Sequence, residues 1–223
     1  MLVGTVHRTR CGVNYSGCAV TLDDIATAAR ALHLTPLGGF HEGETTTILL
    51  GPLEPDFWGY VTEQPEFSGA DPLDSWSSAA IAALAESTSS QAFFPFGGPP
   101  YHPFISWALR SGETWQSPVG LLVHKDAGLL VSYRGALRFD GRIDLPIPAL
   151  NPCDTCADKP CLTACPVLAL SPKGYDVPSC KAHIDTDAGC REACRVRLAC
   201  PVSQTYSRDP AQTAFHMEAL HPS

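Results

Sequence analysis

The chain has 223 residues, 44% hydrophobic and 17% charged, enough apolar material to bury one sizeable domain or two small ones. Its formal net charge is −8, with the acidic excess in residues 1–150, so no basic patch is available to release counterions from phosphates and no nucleic-acid partner is expected. No run approaches the ~18 to 20 consecutive apolar residues of a membrane span, and residues 1–10 lack the apolar core of an export signal, which points to the reducing cytoplasm and no membrane partner.

In chain order, Thr21 followed by Asp24 reads as a capping box opening a helix, with Leu22, Ile25, Ala29 and Leu32 at helical spacing up to about His33. Residues 45–50 are β-branched and aliphatic and are closed by Gly51-Pro52, the signature of a strand. Asp71-Pro72 caps a second helix running to Ser87, with Leu73, Trp76, Ala80, Ala83 and Leu84 on one face. Gly97-Gly98-Pro99-Pro100 breaks the chain before a short helix over Phe104–Arg110. Residues 119–124 and 129–139 then read as a hairpin around the turn Lys125-Asp126-Ala127-Gly128. Pro146, Pro148 and Pro152 form a stiff linker into the remainder, so the expected division is 1–148 and 149–223.

The chemistry is concentrated in the second part. Of ten cysteines, eight follow Asn151: Cys153, Cys156, Cys161 and Cys165-Pro166, an isolated Cys180, then Cys190, Cys194 and Cys200-Pro201. A cubane needs four converging thiolates, and a short loop of closely spaced cysteines supplies three of them. In two-cluster ferredoxins the cysteine before proline ligates the other cluster. The same rule here assigns Cys153, Cys156, Cys161 and Cys200 to one [4Fe–4S] cluster and Cys165, Cys180, Cys190 and Cys194 to a second. The loops are longer than the usual bacterial run, but the order is kept. Zinc and a disulfide framework are the competing readings. Zinc sites do not require Cys-Pro twice, and disulfide frameworks belong to short secreted chains. Cys11 and Cys18 read as plain thiols.

No GxxxxGK[ST] loop and no GxGxxG after a strand is present, and the prolines of Gly97-Gly98-Pro99-Pro100 remove the amide donors a phosphate loop needs. No Ser/His/Asp set has a recognisable local signature, so redox chemistry has to come from bound cofactors, and no catalytic residue is assigned.

The eight-cysteine order, with Cys180 in Tyr175-Asp176-Val177-Pro178-Ser179-Cys180 between the two Cys-Pro groups, resembles the dicluster ferredoxin module of epoxyqueuosine reductase and of the corrinoid-dependent reductive dehalogenases. Upstream, Thr47-Ile48-Leu49-Leu50-Gly51, Asp71-Pro72-Leu73-Asp74, and Gly120-Leu121-Leu122-Val123-His124-Lys125 leading to Tyr133-Arg134-Gly135-Ala136-Leu137 are similar to the cobalamin-trafficking decyanating chaperones. The resemblance implies an α+β, nitroreductase-like domain over residues 1–148 that binds cobalamin or FMN, followed by a small ferredoxin-like domain. It also implies a thiol contact for Arg134. Helical repeats that dock transfer RNA in epoxyqueuosine reductase have no counterpart in this sequence.

Four residues are the candidate cofactor contacts. Tyr101 and His102 follow the Gly-Pro breaker, where a loop can present polar groups. Tyr133 is the aromatic neighbour of Arg134, whose guanidinium needs a partner wherever it points inward from its apolar segment. The bland alternatives are a surface loop pair, a core tyrosine and a structural ion pair. His124 reads as a turn histidine. Three functions follow: a reductase whose clusters feed a corrinoid or flavin and reduce a small molecule or the corrinoid itself, a ferredoxin-like carrier serving a redox partner protein with no second cofactor, and a corrinoid-handling chaperone.

Overall fold

The computed structural model describes residues 20–222, which form a mixed α+β fold with small antiparallel sheets. Cys11 and Cys18 lie outside the described residues.

The first helix, α1 (Leu22–Arg30), opens as expected: the Thr21 side chain accepts from the Asp24 amide and Asp24 accepts from the Thr21 amide. It is followed by β1 (Leu34–Glu42), β2 (Thr45–Pro52), α2 (Phe57–Thr62), α3 (Pro72–Ser87), β3 (Gln91–Phe93), α4 (Phe104–Arg110), β4 (Thr114–Gln116), β5 (Leu122–His124) and β6 (Gly135–Asp140). The main sheet has the order β1-β2-β6-β3, so β2 is central and buried on both faces. Period-two alternation divides its side chains between two cores. Ile48 and Leu50 join Ile25, Phe57, Trp76 and Ile81 from the helices on one side, and Leu49 meets Trp107, Phe104 and Tyr133 on the other.

Two expectations change. The face of α3 is Leu73, Trp76, Ser77, Ala80, Ile81, Leu84 and Ala85, with Ala83 exposed, and Asp71 makes no side-chain cap. The expected hairpin between residues 119–124 and 129–139 does not form. Instead β5 pairs with β4, and β6 pairs with β2 and β3. The reason lies in Leu129: its amide donates to Ser203 Oγ at 2.9 Å and its carbonyl accepts from Arg197 Nη1, so neither group is left for a ladder. The turn itself closes tightly, with His124 and Gly128 exchanging amide–carbonyl bonds of 3.0 and 2.9 Å.

The remainder is a chain of short elements: α5 (Pro152–Thr155), a 3-10 turn at Pro160–Leu162, the two-residue strands β7 (Leu170–Ser171) and β8 (Gly174–Tyr175), then α6 (Val177–Ile184), α7 (Ala188–Glu192), α8 (Arg195–Ala199), α9 (Pro201–Thr205) and α10 (Pro210–Leu220). Several start on a polar cap: Asn151 accepts from the Cys153 amide, Asp176 from Ser179 and Asp187 from Cys190. This segment packs directly on the sheet region. Phe215 of α10 sits with Trp58 and Phe67, Tyr206 donates to the Pro52 carbonyl at 3.0 Å, and Val119, Val123 and Leu129 share a core with Cys161, Leu170, Val196 and Cys200. Among the described residues no helix is long and apolar enough to cross a membrane.

Candidate cysteine-lined functional site

The eight cysteines fall into two groups of four, each lining its own cavity. Cys153, Cys156, Cys161 and Cys200 line one of about 430 Å³, and Cys165, Cys180, Cys190 and Cys194 line a second of about 430 Å³. None is in a disulfide. The short elements produce this sorting. Cys156 ends α5 in an extended conformation, Cys161 sits in the 3-10 turn, and Cys200, also extended, opens α9 on Pro201, which places it with the first trio despite its distance in sequence. Cys194 opens α8 in the same way, while Cys180 and Cys190 lie on α6 and α7.

The electrostatics of the empty thiols are unfavourable. Burial pushes the Cys153 thiol up to about 11, with repulsion from Cys161, Cys200 and Cys156 adding to it. Burial likewise raises Cys161, helped by Cys200 and Cys156, and raises Cys190, where Asp187 and then Cys194 and Cys165 add to it. Thiols raised in this way ionise more readily beside a compensating positive charge, which a metal bound by thiolates supplies. Four cysteines in each cavity are a donor set that a thiolate-ligated metal group could use. Backbone also serves the sulfurs: the Ala169 amide donates to Cys165 Sγ at 3.2 Å.

Among the described residues two mixed groups of side chains also approach metal-ligand spacing, and both have members already engaged. His183 lies 3.4 Å from Asp187, but Asp187 Oδ1 caps the Cys190 amide at 2.9 Å and both its oxygens accept from Arg195. In the set of Glu113, His124 and Asp126, His124 Nδ1 accepts from the amides of Asp126 and Ala127. Its Nε2 therefore carries the proton and faces Glu113 at 3.8 Å, which makes it the turn histidine expected from the sequence.

None of the four candidate cofactor contacts lines either cysteine cavity. Tyr101 is exposed; His102 stacks on Trp107 at 5.7 Å and meets Phe93 edge-on at 4.9 Å. Tyr133 is buried, its hydroxyl 2.8 Å from Thr114 Oγ1, and burial pushes it up to about 12. Arg134 pairs with Asp74 at 3.3 Å, and its amide donates to the Leu50 carbonyl. Residues not singled out from the sequence complete the second cavity: Tyr175, Arg197, Arg208 and His216. Tyr175 lies in the motif around Cys180 and Arg197 falls between Cys194 and Cys200, while Arg208 and His216 carry no local signal.

Comparison with known proteins finds no match: no family model, no curated protein and no solved structure matches this chain.

Proposed function

We propose that the chain is a cytoplasmic iron–sulfur electron-transfer protein that holds two [4Fe–4S] clusters and exchanges electrons with a redox partner protein. The observation that carries this reading is the division of eight free cysteines into two cavities in the crossed order, with each Cys-Pro cysteine joining the distant trio. Bound there, each cubane would supply one-electron storage. The protein's own part is to present four thiolates per site, to exclude water with Val119, Val123, Leu129 and Val196, and to donate backbone hydrogen bonds to sulfur.

Two features bear on whether the chain also reduces a small molecule at a nitroreductase-like, cobalamin- or FMN-binding region. The internal partners of Tyr133 and Arg134 favour the ferredoxin-like carrier. Against this, the wall of the second cavity continues from the cysteines to Leu130, Val131, Ser132 and His216, side chains a small acceptor could meet, which keeps the reductase as the second reading. The corrinoid-handling chaperone has no further support.

The crossed assignment is tested by Cys165→Ser and Cys200→Ser in the anaerobically reconstituted protein, followed by electron paramagnetic resonance. Cys165→Ser is expected to alter the signal that also responds to Cys190→Ser, and Cys200→Ser the one that responds to Cys153→Ser. The opposite pairing would overturn the assignment.

A further inference from the structure

The two cysteine cavities differ in charge. On the wall of the first are Asp158 and Lys159, both exposed, so their opposite charges cancel and are screened. The second cavity has Arg195, Arg197 and Arg208 on its wall and no carboxylate. Two of these arginines are already compensated: Arg195 Nη2 lies 2.8 Å from Asp187, and Arg208 Nε lies 3.6 Å from Glu54, with both of the latter side chains almost wholly buried. Arg197 is different. Its Nη1 donates to the Leu129 carbonyl, and among the described residues no carboxylate pairs with it. Cys194 and Tyr175 are the groups whose negative charge, when present, stabilises it. Tyr175 stands on the same cavity wall as Cys180.

We infer, resting on the iron–sulfur reading above, that Arg197 sets the direction of electron flow within the chain by making the second cysteine set the site of higher reduction potential. Reduction adds one negative charge to a site already rich in thiolate, and an uncompensated guanidinium fixed beside it favours the reduced form. Cluster potentials respond to local charge and to hydrogen bonds to sulfur in this sense. The Ala169 amide, which donates to Cys165 Sγ at 3.2 Å, acts in the same direction. The internal step is balanced: the first site loses one electron, the second gains it, and no bond or proton moves. Donor contact therefore belongs at the first set, and acceptor contact at the second.

The test is a potentiometric titration of the full chain, reconstituted anaerobically and followed by electron paramagnetic resonance, with Cys153→Ser and Cys190→Ser used to assign each wave. The wave of the second set is expected at the higher potential. Arg197→Gln should lower it about tenfold in electron-sharing equilibrium, which is 59 mV for one electron, while leaving the first wave in place. Arg197→Lys should restore most of the shift. Should Arg197→Gln fail to load iron, Tyr175→Phe is expected to lower the same wave by a smaller amount. Two waves of equal potential, or a second wave unmoved by both variants, would overturn this inference while leaving the iron–sulfur reading standing. Absence of any cluster signal would remove both.

Discussion

Gly128 faces Ser203 where the sheet region meets the cysteine segment, and replacing it by alanine makes a quantitative test of that seam. Its φ is +57°, and an added Cβ would stand 2.5 Å from the Ser203 amide nitrogen and 2.6 Å from Ser203 Oγ. Three costs follow. A non-glycine residue in the left-handed region costs roughly 1–2 kcal/mol, overpacking a tight contact typically costs about 1–3 kcal/mol, and displacing Ser203 Oγ endangers its 2.9 Å bond from the Leu129 amide, worth about 1 kcal/mol. The sum is about 3 to 6 kcal/mol, which at roughly 2–4 °C per kcal/mol for a chain of this size lowers Tm by something on the order of 10 °C. Gly120 supplies the control: its φ is +81°, and a Cβ there meets nothing within 4 Å, so Gly120→Ala carries the backbone cost alone. Thermal melts of both variants by circular dichroism measure the difference. Equal shifts, or a change below about 2 °C for Gly128→Ala, would refute the close packing of α9 on the turn.

Acid should weaken the fold through His124. Burial lowers its pKa to about 4, below the ordinary 6.5, so its contribution is fully present above pH 6.5 and is lost as pH falls toward 4. The expected loss is on the order of 3 kcal/mol across that window, read from urea midpoints at stepped pH, and His124→Asn, which keeps an acceptor for the Asp126 amide, should flatten the slope. Arg134→Ala breaks the pair with Asp74 and should cost about 1–3 kcal/mol of stability with cluster signals unchanged, as a structural ion pair requires. Weakened binding of cobalamin or FMN by that variant at unchanged Tm would instead return Arg134 to a ligand role.

Three helices of the sheet region were legible in local signals. The Thr21–Asp24 capping box marks the start of α1, the Asp71-Pro72 step marks α3, and α4 spans the residues expected after the Gly-Pro breaker. Strand β2 was equally plain, because both of its faces are buried and its sequence is continuously apolar or β-branched. Strand β1 was not. Pro36, Gly38 and Gly39 interrupt its pattern, and the reason for them is tertiary: a bulge falls between Pro36 and Gly39, and a Cβ at Gly39 would stand 2.8 Å from Ile48. The hairpin expectation failed for a similar reason, since the partners that occupy the amide and carbonyl of Leu129 are Ser203 and Arg197, more than sixty residues away. At the site, the two cavities are lined by the cysteines that spacing and the Cys-Pro order group together, which leaves what they bind to the proposal above. Side chains brought in by distant elements, such as Arg208 and His216 on the wall of the second cavity, carry no local pattern that would mark them.

The most direct test of the two-cluster reading is the metal and sulfide content of the chain after anaerobic reconstitution. Two cubanes on eight thiolates predict about eight iron and about eight acid-labile sulfide per chain. Stoichiometric zinc without sulfide, under the same conditions and in folded protein, would contradict it.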